Sequence, residues 1–246
     1  MQLIQSEDGT YTAFSSLFNE HYHSTKDGAL QESLQKHVIP AYEIQKDKKE
    51  LYILDICFGL GINTLATVDF YAYHAPETRL YIYSPEFDEE LLDSLSDFVY
   101  PPSLQKYQKI ISSLIKNGRY EDEKLFIELF RGDAREYIKR FQNHFDIIYQ
   151  DAFSPKNNPL LWTKEYFSDI KNAIKQDGVL TTYSIALQTR LALYANDFLI
   201  YLVQKEGVRN FTLASLKPLQ NFTPIDMEHK IKCNPNVLPL TDTQIA

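Results

Sequence analysis

At 246 residues, 44% of them hydrophobic, the chain has material for one large or two small domains around a sizeable core, which excludes the disordered class. Its formal charge of −8 argues against a broad nucleic-acid-binding surface, because neutralising phosphates needs clustered Lys and Arg. The two cysteines, Cys57 and Cys233, lie far apart without metal-ligand spacing, so no metal site is expected and the thiols suit a reducing cytoplasm.

The amino terminus, MQLIQSEDGT, has neither a basic region nor an apolar stretch, and no window approaches the roughly 18 apolar residues of a membrane span. A soluble cytoplasmic protein is expected, with no membrane partner. Residues 1–50 read as a lead-in that packs on a sheet edge. From residue 51 the order is regular. LYILDI is a strand, GINTLATVDFYAYH a helix, RLYIYS a strand and DEELLDSLSDFV a helix. A helical stretch from Pro101 to Lys116 precedes the strand LFIELF and the short helix AREYIKRF. FDIIYQ, the helix TKEYFSDIKNAI, GVLTTYS and the helix ALQTRLALYAND follow, before β-rich pieces at FLIYLV and RNFTLAS. Alternating strands and helices imply an α/β fold with a doubly wound, mostly parallel sheet over residues 51–216. The Pro-rich tail, 217–246, is expected to be irregular.

Open α/β sheets bind ligands at the carboxyl ends of their strands, and four strands here end in acids. After the first comes Asp55-Ile-Cys-Phe58-Gly59-Leu-Gly61-Ile-Asn63, where glycines either let a ligand approach the backbone or serve a tight turn. Thr64 stands where a dinucleotide fingerprint needs a third glycine, which argues against NAD and FAD. The second strand reaches Glu86, placed to accept hydrogen bonds from a ribose or to start the next helix. The third runs into Arg131-Gly132-Asp133-Ala134, where Asp133 either meets an adenine amino group or caps a helix. FDIIYQ shows little alternation, as expected of a strand buried on both faces, and it ends at Asp151. Asp151 is either functional or the cap of a turn. Together the four acids suggest an adenosine-containing cofactor with no phosphate to cradle.

Beyond Asp151 the sequence AFSPKNNPLLW resembles, with the Gly59–Asn63 turn, the methyltransferase half of the MnmC family of bacterial tRNA 5-methylaminomethyl-2-thiouridine biosynthesis proteins. GVLTTYSIALQTRLAL and the segment from Tyr22-His23-Ser24 to Glu32-Ser33 resemble it too, so that the likeness runs from about residue 8 to 215. Cys57 stands where that family has its first glycine and Leu60 where it has threonine; both narrow the methionine end of the pocket. The resemblance implies a class I, Rossmann-like methyltransferase that uses S-adenosyl-L-methionine, with Asp55, Phe58, Gly59, Gly61, Asn63, Glu86, Asp133, Ala134 and Asp151 around the cofactor. It also implies methyl transfer to the amine of 5-aminomethyl-(2-thio)uridine at the tRNA wobble position, in the anticodon loop. An FAD-dependent oxidoreductase half has no residues here, so a separate protein is expected to make the aminomethyl precursor.

A free alkylamine is mostly protonated near neutrality and then has no lone pair to attack carbon. Asp151 is therefore the expected catalytic group, accepting a hydrogen bond from the nitrogen and aiming it. Phe153 is expected against the cofactor or a splayed base, Tyr183 as a wall, and Lys156 and Asn157 either at an anticodon phosphate or in a plain polar turn. Trp162 is expected in the core. The charge pattern leaves room for a basic patch of Lys156, Arg190, Lys205, Arg209 and Lys217. Two other readings stand beside this one. An aminopropyltransferase resembling spermidine synthase would also set a carboxylate beside an amine, and a non-catalytic module could bind cofactor or tRNA for a partner enzyme.

Overall fold

The computed structural model describes residues 3–7, 9–26, 28–205 and 207–245. Three short antiparallel strands, β1 (Leu3–Gln5), β2 (Tyr11–Ser15) and β3 (Glu20–His21), open the chain. A helical run follows, made of α1 (Ala29–Glu32), a π-helical segment (Ser33–Val38) and α2 (Ile39–Gln45). Then come β4 (Glu50–Ile56), α3 (Ile62–His74), β5 (Arg79–Glu86), α4 (Glu89–Ser94), α5 (Gln108–Asn117), β6 (Arg119–Glu121), β7 (Leu125–Arg131) and α6 (Ala134–Ile138). The remainder is β8 (Phe145–Gln150), α7 (Lys164–Ala173), β9 (Ile174–Thr182), α8 (Leu187–Tyr194), β10 (Leu199–Lys205), β11 (Val208–Ser215) and α9 (Met227–Cys233).

The central sheet runs β10-β11-β9-β8-β4-β5-β7-β6. Its five middle strands, β9-β8-β4-β5-β7, pair in parallel, while β6, β10 and β11 add antiparallel edges. The order steps outward in both directions from β4 and β8, so their carboxyl ends border the crevice where such sheets hold ligands. All six residues of β8 are buried, as its uniform apolar pattern requires. Its two polar members are satisfied internally: Asp146 accepts from Lys48, Lys175 and the Tyr52 amide, and Gln150 bonds the Leu161 carbonyl and the Tyr166 hydroxyl.

Several expectations change. The run over 29–45 does not sit on a sheet edge; it lies beside α3 over the interior strand β9, with Ala29, Val38 and Ala41 in the same core as Leu51, Ile53 and Leu65. The helix expected from Pro101 is displaced to Gln108 by tight turns that follow the proline pair. The helix expected through Ile174 stops at Ala173, and β9 takes over before Gly178, where a Cβ would lie 3.0 Å from the Phe145 carbonyl. The tail is not wholly irregular, because Asp226 caps α9 through the His229 amide. Only Met227 of that helix is buried, so no apolar stripe announced it. Among the described residues no helix is long and apolar enough to cross a membrane.

Candidate active site

A cleft of about 530 Å³ opens at the carboxyl ends of β4, β5, β7 and β8, roofed by the N-terminal segment. Its floor is the turn between β4 and α3. Cys57, Gly59 and Gly61 all have positive φ there (65°, 54° and 74°), which makes Cys57 a side chain in backbone space that favours glycine. Gly61 serves packing: a Cβ on it would meet the Phe58 ring at 2.7 Å. Phe58 and Gly59 line the cleft, whereas Gly61 and the buried Leu60 do not. Burial, reinforced by Glu86 and Asp151, pushes the Cys57 thiol well above its ordinary range, which keeps it from acting as a thiolate.

Glu86 ends β5 nearly buried. One carboxylate oxygen accepts from the Gly59 amide at 2.7 Å, and the other from the amides of Phe87 (2.8 Å) and Asp88 (2.9 Å). Burial raises its pKa while those three donors pull it back. Glu86 thus ties β5 to the glycine turn, and the capping of α4 falls to Asp88 instead. Asp133 caps α6 as one of its two readings expected, accepting from the Arg135 amide at 2.8 Å, and it lines the cleft beside Ala134.

Asp55 departs from expectation. It is fully buried and does not line the cleft; it accepts from the Thr64 hydroxyl at 2.8 Å and the Asn63 amide at 3.4 Å. The same Asn63 nitrogen donates to Asp151 at 2.8 Å, so one amide links a hidden acid to an accessible one. Burial is the main reason that the Asp55 carboxyl is pushed up to about 7, with Asp151 adding to it and Thr64 and His37 opposing. The folded protein therefore binds a proton here that the unfolded chain releases near its ordinary value of 3.8, so stability falls as pH rises from about 4 to about 7. Asp55→Asn is expected to flatten that slope, read as a difference in unfolding midpoint between variant and wild type that shifts in the variant's favour from pH 5 to pH 8.

Asp151 follows β8 at the centre of the cleft. Burial pushes its pKa up, but the facing His37, with smaller help from His23 and Asn63, outweighs burial and holds the carboxyl below its ordinary value. It is an ionised acceptor near neutrality. Beyond it, Phe153 lies in the cleft between Phe18, stacked at 4.7 Å, and Tyr22, tilted at 5.0 Å. Tyr183 donates to the Ala152 carbonyl at 2.9 Å and walls the opposite side. Trp162 is buried as expected, and its indole N–H also fixes the Phe153 carbonyl at 2.7 Å.

Lys156 and Asn157 are outside the cleft lining. Lys156 is exposed, and Asn157 is held by Glu20, which sequence reasoning missed. One Glu20 oxygen accepts from the Ser154 amide, the Ser154 hydroxyl and the Asn157 amide nitrogen at 3.1, 2.8 and 2.8 Å, pinning the loop to β3. Glu20→Ala is expected to cost about 1–3 kcal/mol of stability and to speed amide hydrogen exchange at Ser154 and Asn157 selectively. Of the basic-patch residues, Arg209 reaches the cleft, while Arg190 is drawn inward to the Thr212 hydroxyl and its pKa is lowered by burial.

The family described as S-adenosyl-L-methionine-dependent methyltransferase matches residues 101–217. The crystal structure of MnmC2 from Aquifex aeolicus superposes with a TM-score of 0.86 at 31% sequence identity, covering 99% of this chain and 79% of that one. The chain belongs to the MnmC methyltransferase family. An uncharacterized protein of Methanocaldococcus jannaschii is 33% identical over 232 residues, 90% of this chain and 61% of its own length. The tRNA 5-methylaminomethyl-2-thiouridine biosynthesis bifunctional protein MnmC of Leptospira interrogans is 28% identical over 203 residues, 76% of this chain and 31% of its own length. The chain thus spans less than two thirds of these two relatives.

The fold is that of the class I methyltransferases, and the family's cofactor is S-adenosylmethionine. The residues present fit it. Glu86 and Asp133 stand along one wall of the cleft, and the Oδ1 of Asn63, beside Asp151, is buried without a hydrogen-bond partner.

Proposed function

We propose that this methyltransferase acts on the exocyclic primary amine of 5-aminomethyl-(2-thio)uridine at the tRNA wobble position, giving 5-methylaminomethyl-(2-thio)uridine. The observation that carries the reading is Asp151: an ionised carboxylate held between the Asn63 amide and His37, open to the cleft, with aromatic side chains on its far side. That an MnmC relative is a tRNA 5-methylaminomethyl-2-thiouridine biosynthesis protein supports the substrate.

In this reading Glu86 holds the ribose, Asp133 and Ala134 face the adenine, and Asn63 with the Cys57–Gly59 turn meets the methionine end. Bound there, S-adenosylmethionine supplies an electrophilic methyl on a sulfonium. Asp151 accepts a proton from the incoming ammonium and then holds the neutral amine by a hydrogen bond, with its lone pair free to attack. Phe153 and Tyr183 exclude water and offer flat faces to a base splayed from the anticodon loop. In the same reading Lys156, exposed on the Glu20-pinned loop, meets loop phosphate. The amine-bearing tRNA is the product of an earlier reaction by a separate protein, and both steps belong to the cytoplasm.

The test uses purified protein, labelled S-adenosylmethionine, and three acceptors offered separately: tRNA bearing aminomethyluridine, the same tRNA unmodified, and putrescine. Label confined to the first supports the proposal. Label on unmodified tRNA or on the polyamine overturns it, as does no transfer at all.

A further inference from the structure

His37 is the group behind Asp151 that the proposed chemistry has not yet used. Its side chain is fully buried, and its Nε2 lies 3.4 Å from the Asp151 Oδ1 without any hydrogen bond of good geometry. Its Nδ1 meets the Thr181 hydroxyl of β9 at 2.7 Å. A hydroxyl both donates and accepts, so Thr181 can serve the ring in its neutral and its doubly protonated form alike. The ring projects from the π-helical segment Ser33–Val38, a local widening of the helix that is frequent at functional sites.

We infer that His37 is a positioning residue that works through Asp151, taking up the proton that the acceptor amine must lose. The inference rests on the amine-acceptor reading above for its chemistry. One N–H bond of the ammonium breaks, its electron pair stays on nitrogen, and the proton goes to the Asp151 carboxylate. The proton then passes from that oxygen to Nε2, leaving an imidazolium against a restored carboxylate, with Nδ1–H donated to Thr181. Asp151 is thereby free to accept a hydrogen bond from the neutral amine while that amine attacks the methyl carbon. Without His37 the proton would return to the more basic amine, which as an ammonium has no lone pair to attack carbon.

Around the pair stand Asp55 at the end of β4, Tyr149 on β8, with its ring 5.4 Å from His37, and His23 in the N-terminal segment. Helix α3 and strand β9 contribute the Asn63 amide and the Thr181 hydroxyl, neither of which titrates.

His37→Gln tests this, because glutamine keeps a donor near Nε2 but takes no second proton. With aminomethyluridine tRNA, kcat near pH 7 is expected to fall by about 100-fold. KM and the cofactor Kd should stay within about twofold, and the lost rate should return as pH climbs towards the ordinary alkylamine value of about 10.4. A loss equal at every pH, or a loss of under about threefold, overturns the inference. A second readout needs no acceptor. The ring N–H proton signal that His37→Gln removes from the NMR spectrum should move when Asp151→Asn is introduced. A signal that ignores Asp151 overturns the pairing. If it moves while the wild type methylates no aminomethyluridine, the substrate reading fails and the pair stands.

Discussion

Asp151→Ala is expected to lower methyl transfer by about 10²–10⁴-fold while cofactor affinity stays within a few fold. The carboxylate is the ionised acceptor exposed to the cleft beside Asn63, and Asp55, the nearest other acid, is buried and engaged with Thr64. Alanine also strips the Asn63 amide of its shorter partner, so some local loosening of the α3 start is expected. Asp151→Asn separates the two effects, since it keeps an oxygen for Asn63 but removes the charge. Its transfer rate should fall as far as that of the alanine variant. Single-turnover transfer measured beside calorimetric cofactor binding checks both, and a variant turning over within about tenfold of wild type would remove Asp151 from the chemistry.

Glu86→Ala should act on the other substrate. Three backbone amides converge on this carboxylate, which lines the cleft, so its loss leaves those donors unpaired and removes the proposed ribose contact. Hydrogen bonds to a charged group contribute about 1.5–3 kcal/mol each, so loss of the ribose contact alone should raise the cofactor Kd on the order of 100-fold. Glu86→Gln, which keeps one acceptor oxygen, should fall between. Calorimetry with S-adenosylhomocysteine reads this directly. A Kd unchanged in the alanine variant would mean that the ribose is held elsewhere.

The sheet was legible because its strands obey a simple rule: β8, buried on both faces, shows little polar alternation, and helices such as α5 and α7 show their own period. The strand ends were legible for the same reason, and Glu86, Asp133 and Asp151 do meet in one cleft. Asp55 shows where that logic stops. Strand position brings an acid to the ligand edge, but whether it looks out or in depends on the neighbour that meets it, and here Thr64 and Asn63 turn it inward.

The missed residues all come from the lead-in, where no alternation of strand and helix set a frame. Glu20 acts across 134 residues on Ser154, a pairing that no local pattern announces. His37 left a faint signal: in LQKHVIPAY it stands next to the buried Val38 and four residues before the buried Ala41, an ionisable ring on a core-facing stripe. Cys57 was noted as a departure, but its left-handed backbone shows that the glycine conformation was kept when the glycine was not.

The most direct test of the central claim is to supply S-adenosylmethionine carrying a trideuterated methyl group together with tRNA bearing aminomethyluridine, and to fragment the resulting nucleoside by mass spectrometry. The account predicts that the whole label sits on the exocyclic nitrogen and is absent in the Asp151→Ala reaction. Label on a ring atom or a ribose hydroxyl, or label undiminished in that variant, would contradict it.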